Sequence, residues 1–131
     1  MRDRRKVSDH LVAAKLCVDI AAKECSQEKD RKVHRDIASY HCVQAFKECF
    51  RHRDSLSERE RAFTVALDIC LGYPPANDPE ALKGLARVIG DFAARIAAGR
   101  LPDEEINVLE EILMEDYGFD LCAPFSKDRL P

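Results

Sequence analysis

Apolar residues recur every three or four positions through the first half of the chain, and neither glycine nor proline occurs before Gly72. This spacing indicates amphipathic helices, because residues three and four apart share one helix face. The predicted first helix begins at Ser8 as N-cap, with Val7 and Val12 forming a hydrophobic staple across the cap. Residues 1–7 then form a basic N-terminal tail. The apolar seam of this helix is Leu11, Ala14, Val18, Ala21 and Cys25.

The wholly polar segment 26–32 interrupts this seam and predicts a turn. A second helix then begins near Val33. Its seam comprises Ile37 or Ala38, Cys42, Ala45 and Cys49, with Val43, Phe46 and Phe50 beside it. Two helices joined in this way form an antiparallel hairpin. The alternative is one helix of about 45 residues, which fits the missing helix breakers but not the broken apolar register.

Capping signals set the bounds of the next two helices. Ser57 and Glu60 form a capping box, and the third helix ends at Gly72, before a pair of prolines. Asp78 followed by Pro79 opens the fourth helix, which ends at Gly99. The fourth helix carries a stripe of bulky residues next to a stripe of small ones, which indicates burial on two sides. These stripes are Leu82, Leu85, Ile89, Phe92 and Ile96, and Ala86, Gly90, Ala93 and Ala97.

The fifth helix starts after Pro102 with three acidic residues, which the helix dipole favours at an N-terminus, and ends at Gly118. Its buried face is Ile106, Leu109, Ile112 and Leu113. The tail 119–131 is apolar, so we expect it to dock on the bundle. The sequence therefore predicts an all-α, single-domain bundle of about five helices with an N-terminal antiparallel hairpin.

Composition is consistent with this fold. The chain has 131 residues, of which 46% are apolar and 34% charged, enough to bury a core without a disulfide or a metal. The start lacks a secretory signal, and no apolar run approaches the roughly 18 residues of a membrane span, so we expect a cytoplasmic protein. Charge is unevenly divided: residues 1–66 carry 15 Lys and Arg against 11 Asp and Glu, and residues 67–131 carry 6 against 13.

Six cysteines raise the question of thiol chemistry. The spacing of Cys17 and Cys25 mirrors that of Cys42 and Cys49, which would suit a hairpin joined by two disulfides. However, positions 17 and 25 differ by about 80° around a helix, so both cannot face one neighbour. We therefore expect free thiols that pack as small apolar groups.

Other chemistry is weakly indicated. Cys49 and His52 lie one turn apart and could bind a metal with His10 or Cys17, but a structural zinc needs four converging ligands, and no compact ligand cluster of the usual zinc-finger spacing exists. No pattern of a catalytic site or cofactor site is present, so we predict neither enzyme activity nor a cofactor. Acidic residues interrupt the basic clusters, which makes nucleic-acid binding unfavourable. These clusters are Arg2, Arg4, Arg5 and Lys6, and Lys29, Arg31, Lys32 and Arg35.

The fifth helix gives the most informative surface pattern. Glu104, Glu111 and Glu115 recur at intervals of seven and four, away from the apolar face, with Glu110 and Asp116 flanking them. We interpret these five residues as a candidate docking surface for another protein with a basic surface. The predicted function is a small cytoplasmic protein-binding module, such as an adaptor, inhibitor or immunity-type protein, with no membrane partner. The alternatives are a homo-oligomeric structural protein and a thiol or metal sensor.

Overall fold

A computed structural model describes residues 2–52, 54–76, 78–122 and 124. These residues form five α-helices and no strand, which confirms the predicted all-α bundle. The helices are α1 (Arg2–Lys23), α2 (Glu28–Arg51), α3 (Glu58–Gly72), α4 (Asp78–Ala98) and α5 (Asp103–Glu111), and α5 continues into a π-helical turn (Ile112–Asp116). None of the helices in this described part of the chain is long and apolar enough to cross a bilayer.

α1 and α2 form the predicted antiparallel hairpin. At one end His52 Nδ1 lies 3.4 Å from Asp3 Oδ2, and at the other Cys25 Sγ lies 3.6 Å from His34 Nδ1. A break over residues 24–27 separates the two helices, which excludes the single long helix. Small side chains are fully buried on the inner faces of both helices, and they allow the backbones to approach closely: Ala14, Ala21, Ala38 and Ala45.

The predicted start of α1 is wrong. The helix begins at Arg2, so residues 2–7 of the expected basic tail are helical and Ser8 is not a cap. Ser8 is buried inside the helix and its hydroxyl donates to the carbonyl of Ala93 in α4, at 2.8 Å. Without a cap at Ser8 the expected staple between Val7 and Val12 does not exist, and Val12 is 42% exposed. At its other end α1 stops at Lys23, which leaves Cys25 in the turn.

The polar segment predicted as a turn is largely helical, because α2 begins at Glu28 and not near Val33. Its charged side chains bind the start of α4 across the bundle. Arg31 Nε lies 2.9 Å from Asp78 Oδ2, and Arg35 Nη1 lies 3.1 Å from the same oxygen. The start of α2 has no apolar residues to pack, and these ion pairs hold it against α4 instead.

α4 is buried on two sides, as its two stripes predict. Its bulky stripe is fully buried, and the ring of Phe92 meets that of Phe63 edge to face at a centroid distance of 4.8 Å. On the small stripe, Ala86 and Ala93 are buried as well. α1 lies against α4 as closely as against α2, so the small stripe is already covered within the chain.

A buried ion pair joins segments that are distant in sequence. Arg4, 5% exposed, makes a bidentate contact with the fully buried carboxylate of Glu60. Its remaining donors bind carbonyl oxygens of Ile96 at 2.8 Å, of Gly99 at 2.6 Å and of Ser55. The first turn of α1 is thereby attached to the start of α3 and to the end of α4.

The remaining boundaries agree with the sequence. The Ser57 and Glu60 capping box is present, and α3 and α4 end at Gly72 and Ala98. Gly118 has φ +77°, a conformation that favours glycine, and it follows the π-helical turn. Phe119 is buried and Leu121 packs against the core, so the described part of the C-terminal tail docks as expected. The prediction for 125–131 lies outside the described residues.

Candidate protein-binding surfaces

α5 presents a mixed acidic and apolar face to solvent. Its buried side consists of Ile106, Leu109 and Leu113. On the opposite side Val108 is 53% exposed, and at the flank of the helix Met114 is 41% exposed, within a border of exposed glutamates. We call this set the α5 surface: Glu104, Val108, Glu111, Met114 and Glu115.

Packing at the end of α5 fixes the orientation of this surface. The π-helical turn ends in a hydrogen bond from the Phe119 N–H to the Leu113 carbonyl, at 2.9 Å. The ring of Tyr117 lies directly over Gly84 of α4, where an added Cβ would lie 2.4 Å from ring atoms. Glycine at this position therefore lets the end of α5 approach α4 closely.

The five acidic residues singled out from the sequence have different surroundings. Glu110 is half-buried and forms an ion pair with Arg59 of α3 at 2.7 Å. Glu104, Glu111 and Glu115 are exposed and, within the described residues, have no cationic side chain at ion-pair distance; exposed Asp116 has none either. Three of the five thus share one uncompensated face, while Glu110 belongs to the α3–α5 contact.

α2 carries a second exposed surface that the sequence pattern did not assign. Its buried side is formed by Arg35 and small residues. Large apolar side chains lie on the other side, with Tyr40 60% and Phe50 61% exposed. Phe46 and Phe50 border a shallow groove of about 440 Å³ together with Lys47 and Arg51. Apolar residues therefore occur on both sides of α2.

All six cysteines are free thiols in this structure, as expected. Three of them are buried, and burial raises the pKa of each: to about 11 for Cys49, to about 12 for Cys70, and further for Cys42. A high pKa keeps these thiols protonated and unreactive at neutral pH. They therefore act as small core residues.

The residues considered for a metal site are not assembled into one. Cys49 is fully buried, and its Sγ lies 3.9 Å from the Thr64 hydroxyl. His52 lies between two carboxylates, 3.4 Å from Asp3 and 3.4 Å from Glu48. In the part of the chain that the structure describes, no three His, Cys, Asp or Glu side chains are grouped to hold a metal ion.

The protein is thus a small helical bundle. Its described residues form two unusual exposed surfaces, an acidic one on α5 and an apolar one on α2. Comparison of the chain with protein-family profiles, with curated proteins and with solved structures found no match. The function is therefore argued from the surfaces alone. Val108 and Met114 were missed from the sequence, although the position of Val108, opposite Ile106 on the helix, could have indicated its exposure.

Proposed function

We propose that this protein is a small cytoplasmic protein-binding module, of the adaptor, inhibitor or immunity type, that binds a basic protein surface through the α5 surface. The observation that carries the proposal is the combination of three exposed carboxylates without cationic partners and two exposed apolar side chains on one face. A binding face of this composition offers an apolar centre to bury and charges to orient the partner.

Within the described residues α5 has no ion pair between two of its own side chains, whereas α1, α2 and α4 each have at least one. Several of their carboxylates are paired with a cation three or four residues away on the same helix, which is the ordinary arrangement of a solvated face. These pairs are Lys15 with Asp19, Lys32 with Asp36, Lys83 with Glu80 and Arg95 with Asp91. The α5 surface therefore keeps a net negative charge that can act over a longer distance on a basic partner.

The anchoring of α5 also favours binding. Ile106 and Leu113 are fully buried, and the ring of Tyr117 closes over Gly84. A face held in one conformation loses little conformational entropy when a partner docks. The proposed module acts by stoichiometric contact.

The test is a capture experiment with two charge-matched variants. The first replaces Glu104, Glu111 and Glu115 with lysine. The control replaces three other exposed acids without cationic partners in the described residues: Asp9, Glu24 and Asp54. Both variants change the net charge equally, and circular dichroism checks that each remains helical. Wild type, variant and control are tagged and used as bait in nuclease-treated lysate of the source organism with reductant.

We expect a partner captured in stoichiometric amount by the wild type and the control and lost from the α5 variant. The purified complex should weaken as salt is raised, since the attraction is electrostatic. Capture that is equal for all three baits would overturn the proposal for this face. Loss from both variants would point to a non-specific effect of net charge and would contradict it equally.

A further inference from the structure

We infer that the exposed side of α2 is a homodimer interface, in which two copies of the chain pack their α2 helices antiparallel across a two-fold axis. The seam consists of six residues on this side of α2: Val33, Asp36, Tyr40, Val43, Lys47 and Phe50. This inference rests on the α2 seam and does not depend on the α5 surface.

The spacing of the seam is that of a coiled coil. Its positions follow one another at alternating steps of three and four residues, the pattern that keeps a narrow stripe facing a partner helix. At about 100° per residue they fall within about 100° of the helix circumference. The buried residues of α2, from Arg35 to Cys49, lie on the other side. The seam is thus a second contact face, separate from the one that packs in the bundle.

Its side chains are strongly exposed in the single chain. Val33 is 54% exposed, Tyr40 and Phe50 about 60% and Val43 38%, so each of the four apolar positions of the seam keeps solvent-accessible surface. The side chains of Asp36 and Lys32 are about two thirds exposed and form only a surface ion pair. A run of large apolar side chains on one helix face is typical of a protein contact site.

The charged residues of the seam indicate that its partner is a second α2 helix and that the two helices run antiparallel. When α2 meets a second α2 antiparallel, Val33 faces Phe50, Tyr40 faces Val43 and Asp36 faces Lys47 of the other copy. Every layer is then apolar against apolar or acid against base, and each occurs twice because the axis is two-fold. In a parallel pair Asp36 would face Asp36, and Lys47 would face Lys47. The seam is therefore complementary to itself in one direction only.

The ion pairs in this interface fix register more than they add affinity. Because the seam involves one helix per copy, with Ile37 as its exposed apolar neighbour, the buried area is small and the dimer should be concentration-dependent. Among the described residues α5 packs against α3 and its π-helical turn against α4, not against α2, so both copies would still present the α5 surface.

The experiment is sedimentation equilibrium of the full-length protein over a wide concentration range, with four samples. They are wild type, Asp36→Lys, Lys47→Asp, and the double swap Asp36→Lys with Lys47→Asp. We expect the wild type to move from the monomer mass of 14.8 kDa toward twice that mass as concentration rises. Each single variant replaces two attractive layers with two repulsive ones, so its dimer dissociation constant should rise by about tenfold or more.

Restoring the dimer by combining the two reversals is a stricter test than losing it in the single variants. The double swap should dimerise as the wild type does, and an equimolar mixture of the two single variants should form a heterodimer. All substitutions lie at exposed positions, and circular dichroism confirms that folding is unchanged. A wild type that stays monomeric throughout would overturn the inference. So would a dimer that is indifferent to the single reversals, since it would use another surface or a parallel pairing.

Discussion

Removal of the buried guanidinium of Arg4 should destabilise the whole bundle. In Arg4→Met the side chain keeps an unbranched apolar stem but loses the guanidinium, and with it the charge and all of its donors. The carboxylate of Glu60 then stays fully buried with only the N–H groups of Ser57, at 2.7 Å, and Leu101, at 3.1 Å. Carbonyl oxygens of Ile96 and Gly99 also lose their partner.

Breaking a buried ion pair by removing one member costs about 3 to 5 kcal/mol, because the remaining charge is uncompensated. The whole free energy of unfolding of a domain this size is about 5 to 15 kcal/mol. We therefore expect Arg4→Met to remove a large share of the stability and to lower Tm by about 10 to 20 °C. The matched control is Arg5→Met, which makes the same chemical change one residue later at an exposed position. It should alter stability by about 0.5 kcal/mol or less.

Urea unfolding followed by circular dichroism suits the measurement, since the chain has no tryptophan. A double-mutant cycle with Glu60→Gln isolates the interaction between the two side chains. Equal free energies of unfolding for Arg4→Met and Arg5→Met would refute the reasoning.

The ion pair between Arg4 and Glu60 can also be tested through the pH dependence of the free energy of unfolding. Burial by itself would raise the pKa of Glu60, but hydrogen bonds from Arg4, Ser57 and Leu101 outweigh it and hold the pKa below its ordinary value. A carboxyl with a lowered pKa in the folded state stabilises above its unfolded pKa, about 4.3, and loses that contribution as pH falls through the folded value. Glu60→Gln should flatten the stability curve in this acid range.

Two further predictions concern packing and thiols. Gly84→Ala should destabilise by about 1 to 3 kcal/mol, because the new Cβ would meet the ring of Tyr117 at 2.4 Å, despite the higher helix propensity of alanine. Gly90→Ala, which meets only the flexible end of Lys15, should be neutral or stabilising; equal effects in thermal unfolding would contradict this account. A thiol-reactive dye should leave three cysteines unmodified in the native protein and modify all six after unfolding without reductant. The protected residues are Cys42, Cys49 and Cys70.

The features that were predicted correctly depend on neighbours along the chain. The capping box of Ser57 and Glu60 and the stops near Gly72 and Gly99 involve residues within a few positions of each other. Such signals act through local backbone geometry and can be read without knowing the fold.

The start of α1 depends on distant residues and could not be read in this way. Arg2 to Lys6 look like a solvated basic tail, yet the guanidinium of Arg4 is buried by contacts with Ser55, Glu60 and the end of α4. The partners of Arg35 and Arg31 likewise lie more than forty residues away, at Asp78. A charged residue becomes part of a core only when the fold brings it a partner.

The buried side of α2 was predicted correctly, since Ala38, Cys42, Ala45 and Cys49 of the predicted seam are buried, and Ala38 takes the position left open between it and Ile37. What the periodicity did not indicate is that the large apolar residues of the other side stay exposed. Size separates the two sides: alanine and cysteine face the hairpin, where the backbones approach closely, while valine, tyrosine and phenylalanine remain outside. Large apolar residues cost solvation free energy when exposed. A helix that buries its small side and exposes its large side leaves apolar area for the second copy proposed above to cover, which is the physical basis of that proposal.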